Sequence, residues 1–152
     1  LPTMKLLIVF LLIGTVSAGM QTLGVKGRVL CGDKPAKGFV RIFDKNRFPR
    51  PDTQLAHVDI DGNGNFQLVG SDSYPVFWMK PVVRIYHSCN NKIFKIEKPC
   101  WRKYESKGIP DAYISKSASV GKWLDMGSIN MELKQNNEDS HCYDNLLRKF
   151  LG

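Results

Sequence analysis

The stretch that most constrains the fold is residues 58–69, a loop dense in Asp, Asn and Gly between two apolar runs. It matches positions 1, 3, 5 and 6 of an EF-hand calcium loop with Asp59, Asp61, Asn63 and Gly64. Position 12 of such a loop is a bidentate glutamate, and here it is Gly70. The flanking runs also alternate as strands do, whereas an EF-hand loop lies between helices.

Turn chemistry explains this loop better than calcium binding. Gly62 and Gly64 can adopt positive φ, and the side chains of Asp61, Asn63 and Asn65 can bond to nearby backbone groups. The pattern therefore predicts a tight hairpin corner between two strands, with Phe66 and Leu68 alternating into the core. We expect no metal ion and no cofactor.

Short segments with a two-residue period recur along the rest of the chain. The clearest are residues 23–30, 39–43, 82–88 and 124–133. In the segment 82–88, Val83, Ile85 and His87 share one face, which makes His87 a hydrogen-bonded structural histidine rather than a ligand. Residues 92–97 alternate as well, after a turn at Asn90. Seven or eight such strands separated by turn signals predict an all-β sandwich.

The last ten residues follow a different period. Tyr143, Leu146, Leu147, Phe150 and Leu151 recur at helical spacing. We expect a short C-terminal helix, tied down by Cys142, whose apolar stripe packs on the sandwich. A membrane-binding amphipathic helix is the alternative, but an isolated helix this short is marginal in water.

The N-terminal stretch has the pattern of a secretory signal. Three extra residues precede Met4, then Lys5 supplies a positive charge, residues 6–13 are apolar, and cleavage is expected after Ala18. The apolar run is too short for a transmembrane helix, which needs about 20 apolar residues. We expect residues 1–18 to be a signal peptide and residues 19–152 to form one domain that is secreted and extracellular.

An even number of cysteines in a secreted chain predicts two disulfides. The four are Cys31, Cys89, Cys100 and Cys142. They are scattered singly, whereas a zinc site needs paired ligands such as C-x-x-C. Three connectivities are open. If residues 90–91 form a tight turn, Cys89 and Cys100 diverge along two strands, which disfavours that pairing.

The positive charge is concentrated in two segments, residues 33–50 and 90–107, each with six basic and two acidic residues. From these segments we predict a basic binding face formed by Lys34, Lys37, Arg41, Lys92, Lys95, Lys98, Arg102 and Lys103. In a secreted protein such a face favours an anionic membrane lipid, a glycan or an acidic partner over nucleic acid. The alternative is a solvated basic face that only aids solubility.

Taken together, these segments resemble the nematode transthyretin-like family. The residues that carry the resemblance are 27–31 with Pro35, 61–70, 81–89, 109–110 with 113–114, and 124–129. The segment G-x-F-x-L-x-G followed by a strand that ends in His-x-Cys is its most specific part. The resemblance implies a transthyretin-like sandwich of seven or eight strands, extracellular residence and no assigned enzymatic activity.

Two relatives of that fold suggest alternative functions. Residues 34–41 resemble the first hairpin of 5-hydroxyisourate hydrolase, but Arg28 stands where that enzyme carries a histidine, and the C-terminal Tyr-Arg-Gly-Ser is missing. A general base pair to activate water is therefore lacking, and we predict no catalytic residues and no enzyme. Transthyretin carries small hormones as a tetramer, whereas we expect a monomer. We predict a secreted binding protein for an anionic ligand, either phospholipid head groups or an acidic cell-surface partner.

Overall fold

The computed structural model describes residues 19–73, 77–89 and 100–142. Two sheets form a β-sandwich, which confirms the predicted fold class. The described strands are β1 (Met20–Cys31), β2 (Lys34–Pro35), β3 (Gly38–Asp44), β4 (Thr53–Asp59), β5 (Asn65–Ser73), β6 (Pro81–His87), β7 (Cys100–Glu105), β8 (Ile114–Ser115), β9 (Trp123–Asn130) and β10 (Glu138–Cys142). No helix among these residues is long and apolar enough to cross a bilayer.

The first sheet is built around β1. Strands β2, β5 and β8 pair with β1 antiparallel, and β9 pairs with it in parallel. The second sheet has the order β10-β7-β6-β3-β4, and all of its pairs are antiparallel. The two sheets enclose a single apolar core, to which the long strands contribute by alternation.

The predicted alternation decides which side chains enter that core. Leu23, Val25 and Val29 of β1 are fully buried, and so are Val83 and Ile85 of β6. Complete burial of one such aliphatic side chain stabilises the fold by about 1.5–3 kcal/mol. Leu133 departs from the prediction because β9 ends at Asn130, and beyond that point the chain leaves its side chain exposed.

The Asp- and Gly-rich stretch forms a turn, as predicted, but the prediction of a hairpin is wrong. β4 belongs to the second sheet and β5 to the first, so the turn is a corner between sheets. Asp61 Oδ1 accepts the backbone N–H groups of Asn63 and Asn65, each at 2.8 Å. The Gly64 carbonyl accepts Val29 N–H at 2.8 Å, which fastens the corner to β1. The Asp61 carboxylate therefore organises the turn.

One disulfide joins Cys31 to Cys89 across 58 residues of sequence. It ties the end of β1 to the end of β6, and such a crosslink stabilises a fold by about 2–4 kcal/mol. The remaining cysteines, Cys100 and Cys142, lie directly opposite each other in the backbone pairing of β7 with β10. Their side chains lie outside the described part of the structure, so the second disulfide stays a prediction.

Three further predictions fall on residues outside the described ranges. These are the signal peptide at 1–18, the turn and strand at 90–97, and the C-terminal helix at 143–151. Within the described ranges the one helical element is a 3₁₀ turn, Asp111–Tyr113, and the segment leading to residue 142 is strand β10.

Candidate functional site

A buried cluster of ionisable side chains lies between β6, β7 and β10. His87 and Glu138 are almost completely buried, and His87 Nε2 lies 2.8 Å from Glu138 Oε1. Arg102 Nε donates to the same oxygen at 2.7 Å. His87 Nδ1 accepts the backbone N–H of Cys89 at 3.2 Å, so Nε2 carries the ring proton and donates it to Glu138.

This cluster is structural. Its histidine and carboxylate are enclosed and hydrogen-bonded, which leaves no access for a substrate and confirms the prediction made for His87. Arg102 was predicted to belong to a basic face, but it points into the sandwich. Its second bond, from Nη1 to the Cys89 carbonyl at 3.0 Å, fixes it there.

Burial lowers the pKa of His87 below its ordinary value, and the nearby Glu138 only partly offsets that effect. Unfolded chains take up a proton on histidine as the pH falls below about 6.5, whereas the folded protein resists it. We therefore expect stability to be complete above pH 6.5 and to fall below it, by at most about 1.4 kcal/mol per pH unit from this group. Urea unfolding at pH 7.5, 6.5 and 5.5 measures this slope. A flat profile, or a slope that disappears in His57→Asn, would contradict the assignment.

The outer face of the second sheet carries an aromatic stack. Phe39 stacks on Tyr86 with ring centroids 4.7 Å apart, and the Arg41 guanidinium lies over both rings. Arg41 Nε donates to His57 Nδ1 at 3.0 Å. Lys103 lies on the other side of Tyr86 in the strand pairing. The structure thus brings Arg41 and Lys103 together on one face.

Acidic side chains accompany those two cations. Asp59 lies 3.4 Å from His57, and Asp139 is opposite Lys103 in the pairing of β10 with β7. The described part of this face is therefore close to charge-balanced. Lys34 and Lys37 are exposed at the end of the sandwich where β3 begins, and Lys92, Lys95 and Lys98 lie outside the described residues.

A second ion network lies near the other end of β3. Arg84 contacts Asp52 and Glu105, and Lys45 Nζ lies 2.5 Å from Glu105. Burial alone would raise the pKa of Glu105, but the hydrogen bonds from Lys45 and Arg84 outweigh it and hold that pKa below its ordinary value. Glu105 is therefore charged at neutral pH and occupied by two cations.

Beyond this network, one lysine from each basic segment lies at the same end of the sandwich. Lys45 of the first segment and Lys107 of the second line a cavity of about 460 Å³ together with Lys80. Arg47 and Arg50 are exposed on the loop after β3, and Lys116 follows β8 at the same end. We call this surface the cationic end, and it consists of Lys45, Arg47, Arg50, Lys80, Lys107 and Lys116.

The cationic end has a surplus of unpaired charge. Among the described residues, Arg47, Arg50, Lys80, Lys107 and Lys116 form no ion pair. The acidic groups near them are engaged, since Asp44 Oδ1 accepts Lys80 N–H at 2.5 Å and Glu105 is held by Lys45 and Arg84. Asp111 is the exposed carboxylate that follows this region in the chain. The arrangement suits an anion that several flexible ammonium and guanidinium groups neutralise.

The comparison with protein families decides the family. The family model described as "Transthyretin-like family" matches residues 26–110, more than half of the 152-residue chain. The chain belongs to the transthyretin-like family. This confirms the resemblance predicted from the sequence.

Three transthyretin-like proteins of Caenorhabditis elegans are similar over most of their length. Transthyretin-like protein 5 is 37% identical over 84% of this chain and 91% of its own. Transthyretin-like protein 33 is 34% identical over 86% and 87%, and transthyretin-like protein 46 is 32% identical over 84% and 70%. Among solved structures, a 9R-lipoxygenase from Cyanothece PCC8801 covers 73% of this chain and 16% of its own at 16% identity, with a TM-score of 0.38.

The names of these transthyretin-like relatives state no enzymatic activity. On the first sheet of this family member, the outer face holds a depression of about 450 Å³ lined by Lys26, Arg28, Asn65, Gln67, Asp125 and Ser128. Arg28 Nε donates to the Asn63 carbonyl at 3.0 Å. The Arg28 guanidinium is not deprotonated in proteins, so it cannot act as a general base in this depression.

None of the six residues of the cationic end belongs to the basic face predicted from the sequence. Charge counted along the chain does not show this site, because the adjacent ends of β3, β6 and β7 assemble it. Residues 47–51, Arg-Phe-Pro-Arg-Pro, did carry a usable signal. The two prolines exclude the interior of a strand, and the aromatic residue lies between two arginines.

Proposed function

We propose that this transthyretin-like protein is a secreted binding protein that recognises an anionic ligand at the cationic end. The ligand is either a phospholipid head group or an acidic cell-surface partner. The observation that carries the proposal is that Lys45 of one basic segment and Lys107 of the other line one cavity together with Lys80.

The charge distribution supports this surface over others. Several cations elsewhere in the described residues are paired, as Arg102 is with Glu138 and Lys26 with Asp125 at 4.0 Å. Each Lys or Arg held near an anionic membrane surface contributes about 1 kcal/mol, an effect that salt screens. Five unpaired cations at one end are therefore sufficient for measurable, salt-sensitive binding.

Secretion is supported by two features. The signal-peptide pattern of residues 1–18 directs a chain out of the cytosol. The Cys31–Cys89 disulfide is of the kind that persists in oxidising compartments. Both agree with a ligand that is met outside the cell.

A small-molecule carrier is the second candidate function, and the depression on the first sheet favours it. Lys26 and Arg28 offer two cations against Asp125, with amide and hydroxyl groups around them. This composition suits a small carboxylate or phosphate. Lys26 contacts the Asp125 carboxylate, and both of these side chains are exposed, so the depression is a weaker anion site than the cationic end.

Charge reversal tests the proposal with a matched control. We expect Arg47→Glu with Lys80→Glu to weaken cosedimentation with vesicles containing 30% phosphatidylserine by at least tenfold, from the loss of about 1 kcal/mol per cation and added repulsion. Lys34→Glu with Lys37→Glu makes the same charge change at the opposite end and should weaken it less than threefold. Polyglutamate serves as the soluble acidic probe. Equal losses in both variants, or no binding to either probe by the native protein, would refute the proposed site.

A further inference from the structure

Three large aromatic side chains are exposed at the cationic end. Phe48 is 97% exposed, Phe77 75% and Trp78 39%. The other exposed large hydrophobic residues in the described ranges are Val69 and Leu133, which lie elsewhere. Leaving aromatic rings in water forgoes a large burial free energy, so a group of them at one end marks an interaction surface.

The three rings project from two segments that are joined at their bases. Lys45 N–H donates to the Lys80 carbonyl at 3.0 Å, which links the loop carrying Phe48 to the segment carrying Phe77 and Trp78. The pairing of Asp44 with Pro81 continues that link into the second sheet. The aromatic side chains therefore lie at one end of the sandwich, on two segments that a backbone hydrogen bond joins.

Hydrogen bonds hold the loop that carries Phe48. Asn46 Nδ2 donates to the Pro51 carbonyl at 2.6 Å and to Thr53 Oγ1 at 2.9 Å. Arg50 N–H donates to the Arg47 carbonyl at 3.0 Å, which closes the turn at the tip. Phe48 is thus presented at the apex of an ordered turn and is not tucked back onto the sheet.

Gln21 holds the second segment in the same way. Its side chain donates to the Phe77 carbonyl at 2.5 Å and accepts Met79 N–H at 2.9 Å, while Met79 itself is buried. Anchoring the backbone on both sides of Trp78 keeps Phe77 and Trp78 turned outward.

Cations lie directly among these rings. Arg47 and Arg50 flank Phe48 in the turn, and Lys116 Nζ lies 4.4 Å from the centre of the Trp78 ring. Aromatic rings beside long basic side chains match the interface of an anionic bilayer, where rings sit at head-group depth and ammonium groups reach the phosphates. The core of a protein–protein interface is instead depleted of lysine.

We propose that the anionic ligand of the cationic end is a bilayer, into which Phe48, Phe77 and Trp78 insert to head-group depth while the surrounding Lys and Arg side chains bind lipid phosphates and carboxylates. This inference rests on the proposed function for its requirement of negative charge. It adds the partner class and the aromatic side chains that contact it.

Serine substitutions at the two most exposed rings test the insertion. Phe48→Ser with Phe77→Ser removes apolar groups that are already in water, so folding is retained. We expect the double variant to bind vesicles containing 30% phosphatidylserine at least tenfold more weakly. The burial free energy of one aromatic ring corresponds to about a tenfold change in the dissociation constant, or more. Leu133→Ser, an equally exposed residue remote from the site, is the control and should change binding less than twofold.

Insertion has a direct optical readout. Vesicles with brominated acyl chains should quench tryptophan fluorescence of the native protein, and Trp78→Phe should remove that quenching while Trp101 and Trp123 remain.

Vesicle binding that is unchanged in the double serine variant, or native protein that binds without quenching, would overturn insertion and leave the anionic ligand proposal standing. Polyglutamate binding that the serine variant weakens as much as vesicle binding would assign the rings to an acidic protein and overturn the bilayer. If the native protein bound neither vesicles nor polyglutamate, both proposals would be overturned.

Discussion

Replacing Glu138 by glutamine is expected to lower the free energy of unfolding by about 3–5 kcal/mol, the effect of removing one partner from a buried ion pair. Glu138 Oε1 accepts from both His87 and Arg102, and Oε2 accepts Gln135 N–H at 2.8 Å. The amide would leave the Arg102 guanidinium inside the sandwich with no counter-charge. If the amide turned so that its NH₂ group replaced Oε1, that group would face the N–H donors of His87 and Arg102.

Urea unfolding at pH 7.5 measures this loss, and the neighbouring residue supplies the control. Asp139→Asn makes the same change of charge and shape on the opposite face of β10, where the side chain is exposed. We expect that variant to lie within about 0.5 kcal/mol of the native protein, as surface substitutions usually do. Equal destabilisation by both variants would show that the buried carboxylate has no special role.

Alanine at Gly64 is expected to destabilise the protein by about 3 kcal/mol. Gly64 has φ of +85°, a left-handed conformation that costs a residue with a side chain about 1–2 kcal/mol. A Cβ there would lie 2.5 Å from the Val29 carbonyl oxygen, so the corner would also have to move away from β1. Such overpacking costs about 1–3 kcal/mol.

Gly62 offers a control within the same corner. A Cβ on Gly62 meets no atom within 4 Å, and its φ lies outside the left-handed region. Thermal unfolding of Gly62→Ala should therefore match the native protein or exceed it slightly. If Gly62→Ala were as damaging as Gly64→Ala, the corner would depend on chain flexibility and not on the contact with β1.

Much of the fold followed from the two-residue period. The core-facing residues of β1 and β6 were predictable because side chains alternate between the two faces of a strand. The burial of Val82 and Tyr86 on the other face of β6 was not. The corner was harder, since a turn of Asp, Asn and Gly is compatible with a hairpin or with a crossing between sheets. The pairing of β5 with β1 decides between them, and it leaves no local signal because residues 32–64, with three other strands, separate the two in the chain.

The site was predictable only in its chemistry. A surplus of Lys and Arg in two segments is visible in the sequence, but the partner of each cation is not. Arg102 and Lys103 are adjacent and look alike, yet the strand period turns one to Glu138 and the other to the outer face. Lys80 and Lys107 line the same cavity because β6 and β7 pair antiparallel, which places the start of β6 beside the end of β7.

The central claim is that the cationic end binds the anionic ligand. A titration of isotopically labelled protein with soluble dihexanoyl phosphatidylserine, followed by backbone amide shifts, tests it residue by residue. We predict that the largest shifts fall on Arg47, Arg50, Lys80 and Lys107 and that they shrink as salt is raised. Shifts centred instead on Lys26 and Arg28, or on Arg41 and Lys103, would contradict the claim and place the ligand on a sheet face.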